Sequence, residues 1–218
     1  VNSYTNESGV RKLKEILFEI YSQINLEILE NTFDTCNLPI ELTKENIENN
    51  YLKDRFKAKP YLIHDKSSVG LINGLWANSL GMGGVLPIES SFIHSTNFMD
   101  LKLTGMQGDV MKESMNVAKT VAWNLLTKSQ QEKLRVKMDE TKMQGIHIHC
   151  PDGATNKDGP SAGTAITMVM YSMLTKKKIK HNVAITGEMN LQHKVTAIGG
   201  LDLKIIGGIE AGVTEFIY

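Results

Sequence analysis

With 218 residues the chain has room for one or two domains, and its 24 basic and 24 acidic side chains balance to zero, so there is no general attraction to nucleic acid or to an anionic membrane surface. A composition 41% hydrophobic and 22% charged excludes a disordered chain and allows a sizeable core. No apolar run approaches the roughly 18 to 20 residues that cross a bilayer, so no membrane segment is expected.

Two cysteines, Cys36 and Cys150, cannot make a disulfide framework in a chain of this length, which points to the cytoplasm or another reducing compartment. The first residues lack the order of a signal peptide, and the chain begins at Val1 rather than Met, so a fragment of a longer protein is expected. Of 18 glycines only Gly9 falls in the first 64 residues. Tight turns are therefore concentrated beyond that point, and two domains are expected, 1–64 and 65–218.

In the first domain Val10, Leu13, Ile16, Leu17, Ile20, Tyr21, Ile24 and Ile28 recur every three or four residues and predict a long helix with one apolar stripe. Asn37 to Ile40 reads as a turn. Thr43 reads as the cap of a second helix with Ile47 and Leu52 as apolar contacts, and the unit ends near Lys59 and Pro60. From Val69 onward short apolar runs separated by glycine predict strands over 69–75, 84–89, 100–104, 146–150, 183–186, 195–198 and 214–218. Helices are predicted over 109–126, 129–138, 161–174 and 201–211. Hairpin-like and strand-helix-strand units are mixed, so the fold class expected is α+β, a mixed α/β domain preceded by a small all-α one.

Ser161, in Gly159-Pro-Ser-Ala-Gly163, opens an apolar helix. Free amides and the helix dipole at such a position can stabilise an oxyanion, but from spacing alone an N-cap is the plainer reading of a serine there. The Gly-x-Ser-x-Gly elbow of α/β-hydrolases fits poorly: the preceding strand ends about ten residues too early, and only His181 and His193 follow, with Glu188 as an acid. A serine needs a base, and a lysine serves only when apolar surroundings keep it neutral. Lys204, flanked by Leu201, Leu203, Ile205 and Ile206, is the candidate; a lysine snorkelling from a buried helix is the plainer reading. His147 and His149 alternate on a strand, which places them on one face roughly 6.6 Å apart, with Cys150 on the other. No ligand spacing completes a metal site, and no phosphate-binding Gly-rich loop is present, so neither metal nor nucleotide is expected in this chain alone.

The segments Lys157-Asp-Gly-Pro-Ser-Ala-Gly163, Thr186-Gly-Glu-Met189 and Ile198-Gly-Gly-Leu-Asp-Leu-Lys204 resemble the proteolytic domain of the Lon family of ATP-dependent proteases. The separation of 43 positions from Ser161 to Lys204 suits that family's Ser-Lys dyad. The runs 69–76, 101–114 and 146–154 look like further protease-domain segments, and Tyr4 to Arg11 looks like the start of the small helical subdomain of the family's AAA+ ATPase module.

The resemblance implies a serine endopeptidase in which Ser161 attacks the scissile carbonyl and Lys204 is the base. Thr186 orients the lysine, and Asp158 and Glu89 match acidic positions near the site. Arg11 matches an arginine that contacts nucleotide when the large ATPase subdomain is present. It further implies ATP and magnesium for the full-length protein, protein or peptide substrates that are unfolded or regulatory, and a homo-oligomer, a hexameric ring. Two departures stand out: Asp202 replaces a frequent lysine, and Gly207-Gly208 replaces helix-favouring residues at roughly 1 kcal/mol each, so a loosened helix is expected around Lys204. The family continues past the position of Tyr218 with a further helix and strand. The alternative to catalysis is an assembly or substrate-holding module whose dyad is unproductive.

Overall fold

The computed structural model describes residues 4–5, 7, 9–30, 39–57, 61–151 and 157–218. The chain divides into two compact units, Val1–Pro60 and Tyr61–Tyr218. The boundary lies four residues before the expected one because the 61–64 segment packs with the second unit: the Ile63 amide donates to the Ala211 carbonyl at 3.1 Å. Cys36, the Asn37–Leu38 part of the expected turn, and Lys59–Pro60 lie outside the described residues.

Helices alone make up the described secondary structure of the first unit. Helix α1 (Arg11–Leu29) has no side-chain cap of its own, but the Glu7 carboxylate accepts from the Lys12 and Leu13 amides at 3.0 and 2.9 Å and satisfies two first-turn donors. Its buried line is Ile16, Ile20 and Ile24, packed with Leu52 and, less deeply, Ile28, Ile47 and Tyr51. The stripe is narrower than its periodicity suggests: Val10, Leu17 and Tyr21 are exposed, since this unit offers too few partners to cover them. Helix α2 (Lys44–Asn46) is capped as expected, the Thr43 hydroxyl accepting from the Asn46 amide at 3.2 Å, and continues as a π-helical turn over Ile47–Tyr51.

In the second unit, β1 (Leu71–Ala77) and β2 (Gly83–Ile93) form a hairpin whose turn is fixed by Asn78, its side-chain oxygen accepting from the Leu80 and Met82 amides, each at 3.0 Å. Next come β3 (Leu101–Thr104), α3 (Asp109–Asn124), α4 (Lys128–Thr141) and β4 (Gly145–His149). A 3-10 turn over Pro160–Ala162 leads into α5 (Gly163–Thr175). The chain ends with β5 (Val183–Ile185), a two-residue hairpin of β6 (Glu188–Met189) and β7 (Val195–Thr196), α6 (Leu201–Glu210) and β8 (Glu215–Ile217). Strand β6 has no counterpart among the sequence expectations, being too short to carry a period.

The strands form a mixed six-stranded sheet in the order β3-β4-β2-β1-β5-β8, with β1–β2 and β2–β4 antiparallel and the remaining pairs parallel. This is the expected mixed α/β architecture. Side chains alternate between its faces. One face sends Ile72, Ile88, Ile146 and Ile148 against Met111, Met115 and Ala118 of α3 and Ile166, Val169 and Met170 of α5, all at most 2% exposed, which makes the main core. The other face carries a smaller core of Leu75, Val85, Ala184, Ala211 and Val213, and α6 packs on the β1–β2 hairpin. Toward β3 and β4 the same face bears Lys102, Thr104, His147 and His149, all exposed or half-buried. None of the described helices is long and apolar enough to cross a membrane.

Candidate functional site

Ser161 sits in the 3-10 turn at the head of α5. The caps of that turn and of α5 are Gly159 and Ala162, and neither uses a side chain, so the serine does not serve as an N-cap. Its backbone is held instead: the Ser161 carbonyl accepts from the Gly187 amide at 2.8 Å and from the Thr186 hydroxyl at 3.2 Å. The Gly187 carbonyl in turn accepts from the amide and the hydroxyl of Thr164, each at 3.0 Å, which pins the first turn of α5 to the end of β5. Gly187 has φ +154°, and a Cβ there would run into the Val195 side chain and stand 2.9 Å from the Thr164 hydroxyl; only glycine fits.

Lys204 lies in α6 and is 3% exposed. Its amine donates to the Thr186 hydroxyl at 3.3 Å, and Thr186 itself is 1% exposed. Burial holds the amine below its ordinary pKa, and desolvation is the single cause. Thr186 therefore accepts from Lys204 and donates to Ser161, joining the two through one buried hydroxyl. There is no direct hydrogen bond between the Ser161 hydroxyl and the Lys204 amine, a contact that in ligand-free sites often forms only around substrate.

The other expected residues stand elsewhere. Asp158 reaches the N-terminus of α3: its Oδ1 accepts from the Met111 amide at 3.0 Å and from Gly159 at 2.9 Å. A Cβ at Gly108 would overlap this carboxylate, so the glycine at the N-cap position just before α3 makes room for a cap supplied from the serine turn. Glu89 is exposed on β2 opposite His149 and makes no hydrogen bond to Ser161, Thr186 or Lys204. Arg11, in the first unit, has a side chain 90% exposed and pairs with Glu15 at 3.3 Å.

His147 and His149 share a face, with ring centroids 6.5 Å apart, and Cys150 is fully buried. The sequence left one partner of the pair unseen. The Thr104 hydroxyl lies 2.9 Å from His147 Nε2 and 2.7 Å from His149 Nδ1, a contact set by the parallel pairing of β3 with β4. Burial, Lys102 and His149 all lower the His147 pKa. Among the described residues no group of three His, Cys, Asp or Glu side chains is placed to hold a metal ion.

Comparison with known proteins gives this geometry its context. The Lon protease (S16) C-terminal proteolytic domain matches residues 41–218. The chain belongs to the Lon protease family. It is 37% identical to a Lon protease homolog of Acanthamoeba polyphaga mimivirus across 95% of the chain and 21% of that protein. It is 36% identical to Lon protease of Clostridium acetobutylicum across the whole chain and 26% of that protein, and 37% identical to Lon protease of Fusobacterium nucleatum across the whole chain and 27% of that protein. The chain thus spans about a quarter of the length of its Lon relatives. The family match begins inside the first compact unit, at residue 41, and takes in all of the second.

The Gly207-Gly208 departure has a structural reason. Both glycines are buried, Gly207 against the backbone of Gly83 and Gly84, and Gly208 against the Phe216 ring and Leu75. Their cost in helix propensity is offset by an approach that no larger residue permits, and α6 is seated closely on β2 rather than loosened.

Proposed function

We propose that the chain is the proteolytic part of an ATP-dependent Lon-type protease, a serine endopeptidase with Ser161 and Lys204 as its catalytic dyad. The observation that carries this reading is the Lys204 amine: buried, kept below its ordinary pKa by desolvation alone, and tethered through Thr186 to the residue that bears the nucleophile.

Neutral Lys204 takes the Ser161 hydroxyl proton as the serine oxygen bonds to the scissile carbonyl carbon. Because the amine gives one N–H to Thr186, its lone pair stays free to face Ser161. Backbone N–H near Ser161, beyond Pro160 and at the positive end of α5, stabilises the oxyanion. The resulting ammonium protonates the leaving amine as the peptide C–N bond breaks. Water, deprotonated by the neutral Lys204 left behind, then attacks the acyl-serine and restores the hydroxyl. Asp158 acts on this scheme from a distance, by tying the serine turn to α3.

Substrates on this reading are unfolded or regulatory proteins, and the working form is a hexameric ring in a reducing compartment. The residues present do not fit a nucleotide: Arg11 is a surface residue paired with Glu15, and the sequence holds no phosphate loop. ATP and magnesium accordingly belong to the portion of the relatives' length that this chain does not span, and no step is routed through them here.

Ser161→Ala in the full-length protein is expected to abolish casein and peptide cleavage while leaving fold and ATPase intact; retained cleavage rejects the dyad. The missing direct Ser161–Lys204 bond favours one second reading, a substrate-holding module with an unproductive pair. Labelling of Ser161 by a peptide boronate or aldehyde separates them, since a misaligned pair forms no adduct.

A further inference from the structure

At Gly83 and Gly207 the backbones of β2 and helix α6 meet with no side chain between them. A Cβ added at Gly83 would overlap the Leu203 carbonyl and stand 3.0 Å from the Lys204 amide nitrogen, while one at Gly207 would overlap the Gly83 carbonyl and the Gly84 amide. The buried line of α6 is Lys204, Gly207 and Gly208, one amine and two residues without side chains; Leu201, Leu203 and Ile205 are half-buried, and Ile206 and Ile209 are 55% and 60% exposed. Ordinary helix packing presents large apolar residues to the sheet; at Gly207 α6 presents bare backbone instead. A glycine at a helix position facing a strand glycine marks close backbone approach.

We propose that the Gly83–Gly207 contact positions the Lys204 amine: by seating α6 directly on the first residues of β2, it sets the reach of the side chain to Thr186 and keeps water from the nitrogen. This rests on the reading of Lys204 as the base. Besides Lys204 the fully buried positions of α6 are both glycines, so the close seat of the helix is made by backbone. No charge substitutes for it. The lowered pKa of the amine has desolvation as its only cause, and no contribution comes from the carboxylates of its own helix, Asp202 and Glu210, or of the neighbouring elements, Glu89 on β2, Glu188 on β6 and Glu215 on β8. An amine kept neutral by water exclusion alone is sensitive to any change that lifts the helix.

Gly83→Ala forces α6 off β2 at the Leu203–Lys204 peptide. In the proteolytically active full-length protein, assayed on a short fluorogenic peptide, kcat is expected to fall at least tenfold with KM within about twofold, and the pH of half-maximal kcat to move upward toward that of an exposed lysine. Gly207→Ala enters the same contact from the helix side and is expected to shift the profile in the same direction. Gly208→Ala is the control: its methyl meets the Phe216 ring and Leu75, so it changes packing and leaves the pH profile where it was. An unchanged pH profile in Gly83→Ala and Gly207→Ala overturns the proposal, as does an equal shift in Gly208→Ala. If neither Gly83→Ala nor Gly207→Ala folds, NMR titration of Lys204 in the Ser161→Ala protein decides: an amine titrating at the ordinary lysine value means that the contact excludes no water, and overturns it. The two readings fail differently. Cleavage that survives Ser161→Ala defeats the dyad itself, whereas loss of cleavage there with an undisturbed Gly83→Ala enzyme defeats only the glycine contact.

Discussion

Two regions of the sheet place a threonine hydroxyl between two nitrogen- or oxygen-bearing partners, and they differ in water. Thr186, 1% exposed, joins the Lys204 amine to the Ser161 carbonyl under the cover of α6. Thr104, half-buried, joins His147 to His149 on the face of β3 and β4 that bears Lys102. Imidazoles are the more usual catalytic bases near neutral pH, and lysine ordinarily titrates near 10.4. Burial works against that ranking: it lowers the pKa of Lys204, whereas the imidazoles make no hydrogen bond to Ser161. Residue type proposes a role, and solvent exclusion decides it.

The strongest way to break this comparison is to remove the amine. Lys204→Met keeps the stem of the side chain and deletes the proposed base, and peptide cleavage is expected to fall by about three orders of magnitude or more, to background. Stability should move the other way, with Tm raised by a few degrees, because a buried amine is replaced by an apolar group of similar size. The pH dependence of stability has a definite sign. Between the lowered folded pKa of Lys204 and about 10.4 the unfolded chain binds more protons at this residue than the folded chain, so stability rises with pH across that window and is lost as pH falls through it. Lys204→Met removes that slope. Denaturant unfolding at a series of pH values measures it, and an identical slope in both proteins would show that the amine is solvated.

Thr186→Val tests the bridge with a residue of nearly the same shape. The Lys204 amine loses its acceptor and the Ser161 carbonyl loses one of its two donors, so kcat is expected to drop about ten- to a hundredfold with little change in KM, and stability by about 1 to 3 kcal/mol. A kinetically silent Thr186→Val would mean that the hydroxyl only fills space.

The fold was largely legible in the sequence because the elements of the second unit are amphipathic or fully apolar over enough residues to show a period. Helix α3 was expected over 109–126 and spans Asp109–Asn124, and α6 was expected over 201–211 and spans Leu201–Glu210. What escaped was pairing at a distance. Nothing local in Thr104 announces the parallel neighbour that brings it between two histidines, and nothing in Asp158 shows that its carboxylate will cap a helix whose first residue is 49 positions earlier in the chain. Gly207 and Gly208 were legible as glycines but not as a contact, since their partners, Gly83 and Phe216, come from β2 and β8. On α1 the period overstated the core: Val10, Leu17 and Tyr21 keep the spacing of buried residues and remain exposed.

Asp158→Ala sharpens the link between the serine turn and the rest of the fold. Removing the carboxylate leaves the Met111 and Gly159 amides without that acceptor, and the expected loss is about 1 kcal/mol, as for other helix caps. Because the serine turn is also held by Gly187 and Thr186, cleavage should fall only a few-fold, with the melting midpoint and kcat read on the same protein. A loss as deep as that of Lys204→Met would place the carboxylate in the chemistry itself.

The smallest effect is expected from the other threonine, and it is the one that tests the contrast most directly. Thr104→Val deletes the hydroxyl between His147 and His149 as Thr186→Val deletes the one between Lys204 and Ser161, so the two substitutions are chemically matched. The imidazoles, being half-buried, replace the lost hydrogen bonds with water, and the stability change should stay within about 1 kcal/mol. Cleavage should remain within about threefold of the parent and the pH profile unchanged, because no proton of the proposed reaction passes through this face. A tenfold fall in kcat in Thr104→Val, equal to that of Thr186→Val, would mean that exposure does not separate the two regions and that the polar face of β3 and β4 takes part in proteolysis.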